Sequence, residues 1–141
     1  HTRYGYDLLH DLHTQAQQSS EWMVDDRVFE LSKEVALYHH EHFDGTGYPA
    51  QIQGEQIPVL ARVVHMIDVL DALLSHRSYK EPKPWSAVRS WMIHHAHTHY
   101  DPSIIEFFIA HESDLNAMYE STKTSSRSSS LDSYTCVKKV D

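Results

Sequence analysis

Apolar residues recur at spacings of three or four positions along much of the chain, and this period predicts amphipathic helices. The first helix is predicted over residues 1–10, with Tyr4, Leu8 and Leu9 facing a core. Residues 14–24 are polar and lack a period, which predicts a loop. The second helix begins at an N-cap, Asp25 or Asp26, and runs to about His40. Its buried stripe is predicted to consist of Val28, Leu31, Val35 and Tyr38.

Three more helices are predicted downstream. Pro58 suits a first helical turn, and the helix after it runs to about Leu74 with an apolar face of Leu60, Val63, Val64, Ile67, Leu70, Leu73 and Leu74. The next helix is predicted over residues 85–95 and begins near Ser86. The residues that face the core are Val88, Trp91, Met92 and His95. The last predicted helix covers residues 103–119 and packs through Ile104, Ile105, Phe107, Phe108 and Leu115.

The end of the chain has a different composition. Residues 121–141 are Ser-rich and of low complexity, so they cannot bury enough apolar area to offset the entropy of ordering. We predict one modest domain over residues 1–120 and a flexible tail over residues 121–141, with Cys136 as an incidental thiol. Because the first residue is His rather than Met, we expect the chain to be a piece of a longer protein.

Charge and cysteine content narrow the function classes. Residues 1–120 carry 8 Lys and Arg against 18 Asp and Glu, whereas residues 121–141 carry 4 against 2. Such an acidic body argues against a protein that binds duplex DNA or RNA. One cysteine excludes a disulfide framework and favours a reducing, cytoplasmic setting. No apolar run approaches the roughly 20 residues of a membrane helix, so no membrane contact is expected from this segment.

The end of the second predicted helix concentrates metal-binding side chains. Residues 39–44 hold three imidazoles and two carboxylates, which ordinary core packing does not require. Successive helical residues point about 100° apart, so His39 and His40 suit two neighbouring ions better than one. His39 lies four residues beyond Val35 and should face inward. The alternative for His39 is a core histidine bonded to a carbonyl group.

Several spaced segments together resemble one family. They are His39-His40-Glu41, Asp44-Gly45-Thr46-Gly47-Tyr48-Pro49, Gly54-Glu55-Gln56-Ile57-Pro58, Asp68-Val69-Leu70-Asp71-Ala72-Leu73 and Arg77-Ser78-Tyr79-Lys80. In this order they resemble the HD-GYP domains, bacterial metal-dependent phosphodiesterases of cyclic di-GMP within the HD superfamily. The match runs from His1 to about Ala110. It implies an all-α fold, the helical bundle of that superfamily.

The resemblance also implies a metal site. Its ligands would be His1, which precedes Gly5 by four residues as in the family, together with His39, His40 and Asp68. Two or more divalent transition ions are implied, and iron, manganese, zinc and nickel all suit such ligands. Glu41 would orient a histidine from outside the ligand set, while His42 is expected to be solvated and His65 to be structural.

Two aspartates on the third predicted helix carry the implied chemistry. Asp68 and Asp71 lie three residues apart on an apolar helix, where burying carboxylates is costly unless a cation compensates. By resemblance Asp68 completes the metal site, and Asp71 positions or deprotonates the attacking water. The alternative is a solvated acidic edge.

Substrate and partner contacts are implied for two further segments. Arg77 and Lys80 would bind the phosphates of the dinucleotide, or else they complement the dipole of a helix end. Gly47, Tyr48 and Pro49 would shape the substrate-side surface and contact a signalling partner such as a diguanylate cyclase, although such a loop can also be a plain connector. The family resemblance is also compatible with a homodimer.

The chain departs from the family in two places. His10-Asp11 is an HD dipeptide, yet the usual Gly-Lys does not follow, so it is either a ligand pair or part of a solvated helix. In the second case the family's HD pair and its lysine are missing from this chain. Residues 97–102 match a family turn in which His97 replaces glycine, so that turn should be strained. A metal site among His94, His95, His97 and His99 is the alternative to a simple turn.

The resemblance implies a metal-dependent phosphodiesterase that opens cyclic di-GMP to linear pGpG, GMP or both. A second hypothesis is a degenerate, non-catalytic HD-GYP module that binds a nucleotide or a signalling protein. A third keeps the metal centre but assigns another cyclic dinucleotide or a nucleotide phosphate as substrate.

Overall fold

The computed structural model describes residues 1–19, 25–76 and 81–132. The regular elements in these ranges are helices joined by loops, with no strand among them. The helices are α1 Thr2–Gln18, α2 Asp26–Tyr38, α3 Val59–Leu74, α4 Trp85–His94, α5 Pro102–Ala110 and α6 Glu112–Asp132, with a short 3₁₀ turn at Gly54–Gln56. The predicted all-α class is confirmed. None of the helices in these ranges has the length and apolar content needed to cross a membrane.

Helix α1 is longer than predicted and packs on α2 through an unexpected face. It continues to Gln18, so the loop prediction for residues 14–18 is wrong. The core assignment of Tyr4 and Leu8 is also wrong, since these side chains are 75% and 50% exposed. The face toward α2 contains Gly5, where an added Cβ would lie 3.6 Å from the Cβ of Ala36. A close approach of the two backbones therefore selects small residues on this face.

Polar side chains join α1 to α2. His13, buried on α1, places its Nε2 2.8 Å from Oδ1 of Asp26, the first residue of α2. Lys33 of α2 is only 6% exposed, and its Nζ lies 3.5 Å from Nδ1 of His13. Gln17 also donates to Asp26, at 3.4 Å. These contacts between the last turns of α1 and the first turns of α2 explain why the polar end of α1 is helical.

Helix α2 begins as predicted, with Asp25 as the N-cap accepting a hydrogen bond from the backbone N–H of Arg27. Three residues of the stripe predicted to be buried, Val28, Leu31 and Val35, instead line an open groove of about 550 Å³ between α2 and α3. Val28 is 52% exposed, whereas the buried residues of α2 are Phe29 and Lys33. The groove is lined by Val28, Leu31, Ser32, Val35, Ala36, His39, Leu60, Val64 and Asp68.

Helices α3 and α4 follow the predicted bounds closely. Pro58 is the N-cap of α3, which ends at Leu74. The buried residues of α3 are Ala61, His65, Met66, Leu73 and Leu74, while Leu60 and Ile67 of the predicted apolar face are 40% and 51% exposed. Helix α4 packs on α3 and buries Val88 and Met92 completely.

The C-terminal part differs from the single predicted helix over residues 103–119. Helix α5 ends at Ala110 and α6 extends from Glu112 to Asp132, past the predicted end. Phe107, expected to pack, is 59% exposed. The chain forms two compact units, His1–Ile105 and Glu106–Asp141. The division at residue 120 and the flexibility of the tail stay predictions, and Cys136 lies outside the described residues.

Candidate metal centre

Three histidines converge where α2 ends. His39 is the C-cap of α2, and its backbone N–H still donates to the carbonyl of Val35 at 3.1 Å. His1 precedes α1, and its Nε2 lies 2.8 Å from Nε2 of His40. One nitrogen from each of His1, His39 and His40 lies within 4.8 Å of the other two. The packing of α1 on α2 thus brings together the three histidines that the sequence predicted as ligands.

The hydrogen bonds of these rings suit a metal. Nδ1 of His39 donates to the carbonyl oxygen of Val35 at 2.8 Å, which leaves the lone pair on Nε2. Histidine ligands in proteins commonly bind a metal through one nitrogen while the other donates in this way. Burial lowers the pKa of His40, and the neighbouring His39 lowers it further, while Asp68 opposes the shift. A lowered pKa favours the neutral ring that a metal needs.

The two predicted catalytic aspartates lie beside this group rather than within it. Asp68 lines the groove together with His39, but its carboxylate is not part of the three-nitrogen group. Asp71 accepts a hydrogen bond from the Ser75 hydroxyl at 2.8 Å. Both carboxylates are exposed, so the argument from costly burial does not apply to them. Their catalytic roles stay predictions.

Glu41 does not orient a histidine in the described residues, contrary to prediction. It is only 2% exposed, and its Oε1 accepts hydrogen bonds from the backbone N–H groups of Ala50 at 2.5 Å and Gln51 at 3.1 Å. The chain turns after His40, which directs the Glu41 side chain toward the loop at residues 50–51. Glu41 therefore fixes the loop that follows the histidines.

The Gly-Tyr-Pro segment folds back on the histidine segment. A Cβ added at Gly47 would lie 2.2 Å from the backbone nitrogen of His42 and 2.5 Å from Cα of Glu41. The N–H of Tyr48 donates to the carbonyl of His40 at 3.1 Å, and its ring stacks on the His40 ring with centroids 5.0 Å apart. The peptide bond between Tyr48 and Pro49 is cis. Contact with the chain's own backbone thus accounts for the glycine, while a substrate-side role for this segment stays a prediction.

Other predicted positions lie away from the centre or outside the described structure. His10 and Asp11 are exposed on α1, where the His10 ring stacks on Tyr6, and neither belongs to a histidine group. This arrangement matches the solvated-helix alternative. Arg77 and Lys80 lie outside the described residues.

A second histidine group was not predicted. One nitrogen from each of His42, His65 and His99 lies within 4.8 Å of the other two. His42 is expected from the sequence to be solvated and His99 to belong to a turn, and the separation of these histidines along the chain gives no recognisable spacing. Two backbone hydrogen bonds bring the segments together, from Asp44 to the carbonyl of Thr98 and from Phe43 to that of His99. The strained turn is confirmed, with φ +70° at His97.

Comparison with known proteins gives a family. A family model described as "HD domain" matches residues 6–104. A cyclic di-GMP phosphodiesterase of Vibrio cholerae is 43% identical over 88 residues, which are 62% of this chain and 18% of that protein. A 3'3'-cGAMP-specific phosphodiesterase 2 of the same species is 36% identical over 92 residues, 65% of this chain and 18% of that protein. A cyclic di-GMP phosphodiesterase response regulator of Xanthomonas campestris is 32% identical over 126 residues, 89% of this chain and 30% of that protein.

The chain belongs to the HD domain family. The Asp44–Pro49 motif and the named phosphodiesterases among its relatives make it an HD domain of the HD-GYP type, as the sequence predicted. The chain spans only 18% to 30% of the length of the three relatives described.

Proposed function

We propose that this domain is the metal-binding part of a phosphodiesterase that hydrolyses a cyclic dinucleotide, with cyclic di-GMP as the first candidate. The convergence of His1, His39 and His40 carries the proposal, because it brings together three nitrogen ligands from the start of α1 and the end of α2. The names of the relatives support the same reaction class. The single cysteine favours the cytoplasm as its location.

The donor set fits divalent transition metals. Imidazole suits iron, nickel, copper and zinc, and a carboxylate beside it widens the range to manganese. We infer that His1, His39 and His40 hold two or more such ions together with Asp68, which lines the same groove as His39. When bound, the ions would act as Lewis acids on the phosphodiester and lower the pKa of water.

The chain's own residues would position the substrate and move a proton. Asp71, held by the Ser75 hydroxyl near the end of α3, is the proposed general base for the attacking water. Tyr48 stacks on His40 and is 50% exposed, so its outer face is open to a guanine base. Arg77 and Lys80 would bind the phosphates. We also propose that the protein forms a homodimer and that a diguanylate cyclase binds at the Gly-Tyr-Pro loop.

A relative named for 3'3'-cGAMP supports a second substrate. The two cyclic dinucleotides differ in one base, so the metal centre and the phosphate contacts would serve both. The choice between them would then depend on contacts with that base.

Turnover of both nucleotides tests the proposal. Protein purified without chelator should hydrolyse cyclic di-GMP, and His39→Ala should reduce kcat at least about 100-fold because it removes a metal ligand. His94→Ala, an exposed histidine on α4, is the matched control and should leave kcat within about twofold of the unmodified protein. Metal-loaded protein that binds cyclic di-GMP without hydrolysing it would instead favour the non-catalytic module. Preferential hydrolysis of 3'3'-cGAMP would make that nucleotide, rather than cyclic di-GMP, the proposed substrate.

A further inference from the structure

The second histidine group is built from three separate parts of the fold. His42 follows α2, His65 lies within α3, and His99 lies in the turn before α5. The His42 and His99 rings stack with centroids 4.1 Å apart, and the His42 and His65 centroids are 5.5 Å apart. None of the three belongs to the His1, His39 and His40 group. Their convergence is therefore a feature separate from the centre described above.

His65 has a buried ring nitrogen that finds no hydrogen-bond partner in the part of the chain that the structure describes. The side chain is 6% exposed, and its Nδ1 donates to the carbonyl oxygen of His39 at 2.9 Å. A carbonyl oxygen only accepts, so the hydrogen must be on Nδ1 and the lone pair on Nε2. This Nε2 is buried and has no hydrogen-bond partner among the described residues. Burying such a group unpaired costs free energy, which a ligand at this point would recover.

The hydrogen bonds of His42 fix the same tautomer. The Thr46 hydroxyl donates to Oδ1 of Asp44 at 2.7 Å, and Asp44 also accepts from the Thr46 N–H at 2.9 Å. Since the hydroxyl proton is directed to Asp44, the Thr46 hydroxyl oxygen can only accept from Nδ1 of His42, which lies 3.0 Å away and must be the donor. The lone pair of His42 is then on Nε2. Such carboxylate-supported histidines are typical around metal ligands.

The surroundings keep two of the rings neutral. Burial lowers the pKa of His65 to about 4, against the opposing hydrogen bond to His39. Burial also lowers the pKa of His99, and the neighbouring His42 and His95 lower it further. Metals bind the neutral form of imidazole. At neutral pH these rings therefore need not lose a proton before they bind.

We propose that His42, His65 and His99 form a second metal site, which takes a zinc-class ion and has a structural role. A tetrahedral ion with Zn–N bonds of about 2.0–2.1 Å holds its ligand nitrogens about 3.4 Å apart. The ligand nitrogens of His42, His65 and His99 lie within 4.8 Å of one another, so side-chain movements of about 1 Å bring them to that spacing. The bound ion ties the segment after α2 and the turn before α5 to α3. This site does not depend on the proposed catalytic function.

The test removes the first site so that only the second can bind. In a His1→Ala/His39→Ala background the carbonyl of residue 39 remains, so the hydrogen bond from His65 is kept. Equilibrium dialysis against Zn²⁺ should then give about one ion per chain. Co²⁺ should give the visible absorption of a tetrahedral site. Zn²⁺ should raise the thermal unfolding temperature of this background by several degrees.

Two variants and one control identify the ligands. His42→Ala and His99→Ala, each added to that background, should weaken Zn²⁺ binding at least about tenfold, because even residues that only support a ligand contribute about 10- to 100-fold. His94→Ala, which alters an exposed histidine near the group, should leave binding unchanged. Both ligand side chains are partly exposed, so these variants avoid the cavity that His65→Ala would leave. Absence of Zn²⁺ binding in the background, or equal losses in the control, would overturn the proposal.

Discussion

Gly47 shows how closely the Gly-Tyr-Pro segment is tied to the histidines. A Cβ at this position would overlap the backbone of Glu41 and His42, which has no flexible end to move aside. Gly54, unlike Gly47, has a positive φ, +59°, but an added Cβ there would meet nothing within 4 Å. A substitution at Gly47 therefore tests steric overlap, whereas one at Gly54 tests backbone strain without overlap.

We predict that Gly47→Ala lowers the free energy of unfolding by about 3 kcal/mol or more, because the overlap displaces the backbone. The matched control Gly54→Ala should cost only about 1–2 kcal/mol from its left-handed conformation. Urea unfolding followed by circular dichroism measures both. Equal losses in the two variants would contradict the prediction, because the overlap at Gly47 would then cost no more than the backbone strain at Gly54.

At the level of residues, the sequence predicted the first histidine group but not the second. The family motif placed His39 and His40, and the spacing of His1 from Gly5 matched a family ligand. The carbonyl-bonded alternative for His39 also holds, since Nδ1 donates to Val35 and leaves Nε2 for a ligand. His42 and His65 come together only through the folded path of the chain. No local pattern contains that information.

At the level of elements, the α1–α2 contact includes a charge that responds to pH. A hydrogen bond with His13 lowers the pKa of Asp26 below its ordinary value of 3.8, and Gln17 adds to this effect. A carboxyl group whose folded pKa is lowered stabilises the fold above its unfolded pKa. That contribution disappears as the pH falls through the folded pKa.

We predict that Asp26→Asn lowers the thermal unfolding temperature at pH 6, and that this difference shrinks as the pH falls toward 3, because the contribution of the native carboxylate is lost as the pH falls through its lowered pKa. Unfolding temperatures of both proteins between pH 6 and pH 3 provide the measurement. Asp7→Asn, an exposed carboxylate on α1, serves as the control. A difference between Asp26→Asn and the unmodified protein that stays constant with pH would exclude the charge as its cause.

The sequence predicted the positions of the helices better than it predicted which side chains are buried. Periodicity placed α2, α3 and α4 within a few residues, because apolar spacing and the N-cap residues Asp25 and Pro58 act locally. The same spacing could not tell a buried stripe from one that lines an open groove, as Val28 shows. It also missed the last turns of α1, where the stabilising partner Asp26 lies on another helix.

At the level of the whole molecule, metal binding and stability should be linked. Any ligand that binds only the folded state stabilises it, by about 2.7 kcal/mol at a concentration 100 times its dissociation constant. Both histidine groups draw ligands from more than one element, so neither should survive unfolding. Stability should therefore depend on metal content.

We predict that removing metal with a chelator lowers the thermal unfolding temperature by about 10–20 °C, which follows from this energy for a domain of roughly 100 residues. His1→Ala/His39→Ala should lose part of this shift, and His94→Ala should retain all of it. Elemental analysis before and after chelation confirms that metal was removed. An unchanged unfolding temperature after complete removal would contradict the prediction.

Residue 39 contacts both histidine groups. Its side chain lies with His1 and His40, while its carbonyl oxygen accepts the hydrogen bond from His65. A cation on Nε2 of His65 would draw electrons from that ring and make Nδ1–H a stronger donor to this carbonyl. The backbone that carries the His39 ring would then be held more firmly. Linkage is reciprocal, so an ion in either group should raise the affinity of the other by the same factor.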